Sequence, residues 1–112
     1  MSITPKTLFK SQYCPGSATL IYTAPGGVRT IIDKFTATNT DSGALTLSVF
    51  LVDAGDTQSA AQTIIAAESI AAGATLDASV LQNHILNPND KIYVTASAGS
   101  KIVIRASGRE VT

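Results

Sequence analysis

The 112-residue chain has no tryptophan, one cysteine and one histidine, and only 14% of its residues are charged. Each shortage excludes something. A single Cys14 rules out an internal disulfide, so the core must supply the stability by itself. Cys14 precedes Pro15-Gly16 and reads as the end of a strand, either as a small buried hydrophobe or as an exposed thiol. One cysteine and one histidine cannot close a zinc site. A Ser/His/Asp relay would have to use His84, with Ser79 and Asp77 or Asp90 close in sequence. Nothing there resembles a strained nucleophile elbow, and His84 reads as a turn residue beside Asn83. Pro25-Gly26-Gly27-Val28-Arg29 lacks the Lys-Ser/Thr pair of a phosphate cradle. Asp53 with Asp56, and Asn87 and Asn89 with Asp90, fall short of the oxygen density of a calcium loop; turn formation accounts for both groups. The expectation is a chain that is not an enzyme and has no cofactor and no metal.

The charge that is present is balanced, eight basic against eight acidic residues. The basic residues are scattered and have no stripe of aromatic stacking partners, so nucleic acid is not an expected partner. No apolar run approaches the ~18–20 residues of a membrane span, and no membrane partner is expected. Met1–Lys6 lacks the basic-then-apolar pattern of a cleaved leader, which predicts synthesis in a cytoplasm without export by that route. A charge fraction well under the ~25% of an average domain, with zero net charge, leaves little to keep copies apart.

Alternation fills the space left by these absences. Phe35-Thr36-Ala37-Thr38-Asn39-Thr40 alternates, stops at Asp41-Ser42-Gly43, and resumes as Leu45 to Val52; Ile92–Ala96 and Lys101–Arg105 repeat the pattern. A period of two marks strands with one packed and one wet face. Leu45, Leu47, Val49, Leu51, Ile92, Val94, Ile102 and Ile104 form the expected core face. Phe50, Val52, Tyr93 and Val103 fall on the other register and either meet a neighbour or cover the ends of the core. Phe35–Thr40 and Leu45–Val52 are expected to pair as a hairpin. A bend is expected near Asp33, where Asp33-Lys34 interrupts the long run from Val28. Turn signals about every 8–12 residues predict an all-β chain, one antiparallel β-sandwich over residues 1–112 with about eight strands, Ig-like or jelly-roll-like. One short helical turn is expected near residues 77–82, and residues 1–13 are read as an extended arm or edge strand.

The segments Phe35–Thr40 with Leu45–Val52, Ser69-Ile70-Ala71-Ala72-Gly73-Ala74-Thr75-Leu76, Leu86-Asn87-Pro88-Asn89-Asp90-Lys91-Ile92 and Ile102–Val111 together resemble small β-sandwich structural proteins of tailed bacteriophage virions. The similarity covers roughly residues 28–111. It implies a minor head, neck or tail component, with capsid decoration or cementing favoured. It also implies virion proteins as partners, capsid or tail subunits, and a homo-oligomer within the assembly. Where such relatives often place Gly after the Pro, this chain has Asn89. Ile3, Leu8 and Phe9 in the first segment, and Asp53, Asp56 and Gln58 in the polar 53–62 loop, are the expected contact residues. Deleting residues 2–10 is expected to abolish attachment and leave the domain folded. A glycan-binding module is the competing reading. It would have to stack sugars on Tyr13, Tyr22 or Tyr93.

Overall fold

Nine strands succeed one another in a computed structural model that describes residues 2–112. They are β1 (Ile3–Tyr13), β2 (Thr19–Thr23), β3 (Arg29–Asn39), β4 (Leu45–Val52), β5 (Thr63–Ile70), β6 (Thr75–Asp77), β7 (Ile85–Leu86), β8 (Lys91–Ala96) and β9 (Ile102–Val111). Two single 3-10 turns, Ala60–Gln62 and Ser79–Leu81, are the helical elements of the described residues, and the second lies where a short turn was expected. Sheet A runs β1-β9-β3-β6, with β7 also on β3; sheet B runs β2-β8-β4-β5. The chain steps from one sheet to the other at most connections. With β7 set aside, this interleaving of eight antiparallel strands in two four-stranded sheets is a jelly roll.

The alternation places six of the eight expected core-face residues in the core, and Leu45 and Leu51 are partly buried against it. Leu47, Val49, Ile92, Val94, Ile102 and Ile104 are fully buried between the sheets, each worth about 1.5–3 kcal/mol of transfer free energy. Phe35 lies among them, edge-on to Phe9 with ring centroids 5.6 Å apart. β3 carries the bend expected near Asp33. Its register against β9 shifts between Ile32 and Lys34, so Thr30 and Ile32 point inward before the shift and Phe35, Ala37 and Asn39 after it. At the shift, β9 passes close under β3: a Cβ on Gly108 would overlap the Ile31 carbonyl oxygen.

One expectation is corrected. β3 and β4 are not a hairpin; β3 pairs with β9, β6 and β7, and β4 with β5 and β8. The chain crosses between sheets at residues 40–44. The crossing is held by Asn39, fully buried, whose Nδ2 donates to the carbonyls of Gly43 and Ile70, each at 2.9 Å, and whose Oδ1 accepts from the Asp41 N–H at 2.8 Å. Alternation alone does not distinguish a hairpin from a step between layers. Val52, on the other register at the end of β4, is 1% exposed, as a residue covering the end of the sandwich is.

The sheet edges are poor templates for further strands. β1 carries Pro5, Lys6 and Lys10 and has two register shifts against β9. β2 has five residues and one shift. β5 is broken around Ala67, which sits at φ 47 with its N–H on Ser48 Oγ. β6 and β7 have three and two residues. Shortness, bulges, lysine and proline all blunt an edge.

Candidate interaction surface

Register fixes which side chains share an outer face. On sheet A, Pro5 lies across from Arg109, Arg109 from Ile31, and Ile31 from Ile85. Two residues further along, Ile3 lies across from Val111 and Val111 from Arg29. These residues all point away from the core, since Thr30, Ile32 and Gly108 between them are buried. The result is an apolar patch with Ile3 at 54% and Ile85 at 57% exposure at its two margins. Arg109 lies within the patch, its Nε and one terminal nitrogen about 3.0 Å from the Asp33 carboxylate. A paired guanidinium is less of an obstacle to an apolar partner than a free one. Sheet B carries a narrower outer row, in which Leu20 lies across from Tyr93, Tyr93 from Phe50 and Phe50 from Thr63. Leu20 is exposed and the other three are half-buried.

One end of the sandwich gathers the 25–28, 53–56 and 87–90 turns, beside the backbone bridge between Ser2 and Thr112. Asp90 organises this end. It is 6% exposed, accepts from the Ala54 N–H at 2.8 Å and the Asn87 N–H at 2.9 Å, and so ties two turns together with one carboxylate. Asn89 occupies the left-handed region at φ 70, so the asparagine here does adopt the conformation usually given to glycine. Beside these turns is an open cleft of about 670 Å³ between Arg29, Asn87, Pro88 and Val111.

The expected contact residues fall into two groups. Ile3 belongs to the sheet A patch, and Asp53 and Asp56 sit exposed on the 53–56 turn, with Gln58 half-buried further along that loop. Leu8 and Phe9 are instead core residues, each 7% exposed. A bulge in β1 turns these two consecutive side chains inward, an arrangement that strict alternation forbids. Residues 3–13 therefore form an edge strand and not a free arm, and deleting residues 2–10 would open the core. Arg29, Ile31, Ile85 and Leu20 were missed; their neighbours lie far away in the chain, and only the register brings them together.

The remaining chemistry is dispersed. No hydrogen bond joins the His84 side chain to Ser79, Asp77 or Asp90 among the described residues, and His84 is half-buried in a turn whose backbone bonds to Leu81 and Ile32. Among those residues, no group of three or more His, Cys, Asp or Glu is placed to hold a metal ion, and no helix is long and apolar enough to cross a membrane. Cys14 is fully buried and burial pushes its thiol up to about 12. Tyr22, also buried, has its hydroxyl 2.9 Å from Thr30 Oγ1 and its pKa raised by burial, so it offers no ring to a sugar. The hydrogen bond from Lys6 to Glu110, 2.9 Å long across β1 and β9, raises the lysine's pKa. Tyr13 is 56% exposed at the opposite end.

No family model and no curated protein matches the chain. Among solved structures, the chain is similar to one described as "Bacillus endospore appendages form a novel family of disulfide-linked pili". The TM-score is 0.60 at 14% identity, over 99% of this chain and 88% of that one. Likeness at this level establishes a shared sandwich architecture.

Proposed function

We propose that this chain is a non-enzymatic structural subunit that docks on a repeated partner surface in a large protein assembly. The assembly is a bacteriophage virion and the role is decoration or cementing of the capsid, with a neck or tail position as the alternative. The observation that carries the docking half is the apolar patch on sheet A, whose margins Ile3 and Ile85 remain more than half exposed. An outer face that sets exposed Ile3 and Ile85 and half-buried Ile31 and Val111 around the paired Arg109 supports a contact with another protein. The resemblance of residues 28–111 to virion components supplies the identity of the partner. Jelly rolls recur in viral capsids, which accords with that identity, although a fold hosts many functions. The protein of similar architecture is described as forming pili, and so is also a subunit of a polymer. Its disulfide linkage has no counterpart to draw on here, because the one cysteine is buried.

Co-sedimentation with purified particles, with copy number read by quantitative mass spectrometry, tests the proposal. The expected result is a stoichiometric copy number that Ile3→Asp with Ile85→Asp reduces to background without changing the circular dichroism. Recovery in the soluble fraction alone, or undiminished attachment of the double variant, overturns it.

Glycan recognition is a second reading, favoured by the exposed ring of Tyr13 and the partly exposed ring of Tyr93. Specific binding on a glycan array, lost in Tyr13→Ala or Tyr93→Ala, would establish it in place of the first.

A further inference from the structure

The turns at the Asp90 end carry charges that find no partner among the described residues. Four ion pairs occur among the described residues, Lys6–Glu110, Lys34–Asp77, Lys101–Asp41 and Arg109–Asp33. Arg29 is exposed on one wall of the open cleft and has no carboxylate within 4 Å among those residues. Asp53 and Asp56, on the neighbouring turn, are exposed, and their carboxylates make neither an ion pair nor a side-chain hydrogen bond there. The two sets of charges belong to one rigid end. The Asp90 carboxylate binds Ala54, between the aspartates, and Asn87, on the cleft wall, through 2.8 and 2.9 Å bonds.

We infer that this end is a self-complementary contact between two copies of the chain, in which the 53–56 turn of each copy enters the Arg29 cleft of the other. The inference names a self-contact for the assembly proposed above and rests on that reading. Three properties single out a second copy as the occupant. The charges match: Arg29 is a planar, bidentate donor suited to a carboxylate, and the chain itself supplies two unpaired carboxylates on a protruding turn. The turn is short and the cleft is open: between the aspartates lie only Ala54 and Gly55, with Gly55 at φ 84 reversing the chain, and the cleft spans about 670 Å³. The symmetry matches: cation and anions sit on the same end, so one two-fold rotation satisfies both sets at once, as an isologous contact requires. Lys91, which starts β8 at this end, also forms no ion pair among the described residues, so the unpaired side chains here are two cations and two anions, beside the buried Asp90 carboxylate.

The contact is small. It is confined to one end of a molecule whose two lesser extents are 27 and 20 Å, where a standard interface takes ~800 Å² of accessible surface per partner. Weak, salt-sensitive pairing follows, since exposed charges are screened within ~10 Å at 0.1 M salt. Such a contact gains effect when a lattice holds copies close together.

Sedimentation equilibrium of the full chain up to millimolar concentration, in 20 mM and 500 mM NaCl, tests the inference. The expected result is a monomer–dimer equilibrium at low salt whose Kd rises at least tenfold at high salt. Arg29→Glu, Arg29→Ala and the Asp53→Lys/Asp56→Lys pair should each raise the low-salt Kd at least tenfold. Arg29→Glu combined with Asp53→Lys/Asp56→Lys should return it to within about threefold of the native value. All three positions are exposed, so circular dichroism should not change. A monomer at 1 mM in low salt, a native Kd in the Arg29 variants or in the Asp53→Lys/Asp56→Lys pair, or a combined variant that fails to regain pairing overturns the inference. A monomer that still co-sediments with particles sinks the self-contact alone. A dimer absent from particles sinks the virion reading alone.

Discussion

Replacing Asn39 by alanine removes the tie that carries the chain from sheet A to sheet B. The side chain is fully buried and makes three hydrogen bonds, to the Gly43 and Ile70 carbonyls and from the Asp41 N–H. The Ile70 bond is buried, so its carbonyl loses its partner without access to water, at about 1–3 kcal/mol. The Gly43 and Asp41 partners are part-buried and recover some hydration, so each bond counts for about 0.5–1.5 kcal/mol. The sum is about 2–6 kcal/mol, a large share of the ~5–15 kcal/mol that stabilises a typical domain. Urea titration followed by tyrosine fluorescence should show Asn39→Ala with a lower midpoint and an unchanged slope. A thermal scan should place Tm about 10–20 °C lower. Asn39→Asp is the sharper variant. It keeps the size and the acceptor for the Asp41 N–H, yet sets a carboxylate oxygen against two carbonyls. It should therefore be less stable at pH 7 than at pH 4, where protonation restores one donor. A loss under about 1 kcal/mol for Asn39→Ala, or a pH trend that is the same in both variants, would refute the reasoning.

Gly108→Ala drives a methyl into the Ile31 carbonyl and toward Leu8, where backbone must move, so urea unfolding should reveal a loss of about 2–3 kcal/mol or more; a native midpoint would show that β3 and β9 can part cheaply. Cys14, its thiol held near 12 by burial, should resist a thiol reagent at pH 8 in the native state and react at once in urea. Because the folded state binds this proton more tightly than the unfolded one, Cys14 contributes stability that is complete below about pH 9 and is lost as pH rises toward about 12. Stability of the native chain should therefore decline over that window more steeply than that of Cys14→Ala, measured by urea midpoints at intervals of pH.

The layers were legible and the pairings were not. Leu47, Val49, Ile92, Val94, Ile102 and Ile104 announce their inward side by a period of two, and that period depends only on local geometry. The bend at Asp33 was legible too, because two charged residues interrupt an apolar run. Which strand lies beside which is decided by contacts distant in sequence, and so the step at residues 40–44 passed for a hairpin. The spacing of Asn39 and Gly43 held the clue, since that asparagine bonds that glycine. Leu8 and Phe9 misled for a related reason: bulges in β1 break the parity on which exposure was judged. Of the candidate surface, Ile3, Asp53 and Asp56 could be picked from the polar loop and the first segment, whereas Ile85 and Arg29 acquire their neighbours only through register.

The blunted margins of both sheets bear on how the molecule behaves when crowded. Cross-β growth needs a long, straight rim offering successive N–H and C=O groups. Here the rims are kinked, charged or only a few residues long. Copies brought close together, as in the array proposed for this chain, would therefore meet through side chains and not through a growing fibril.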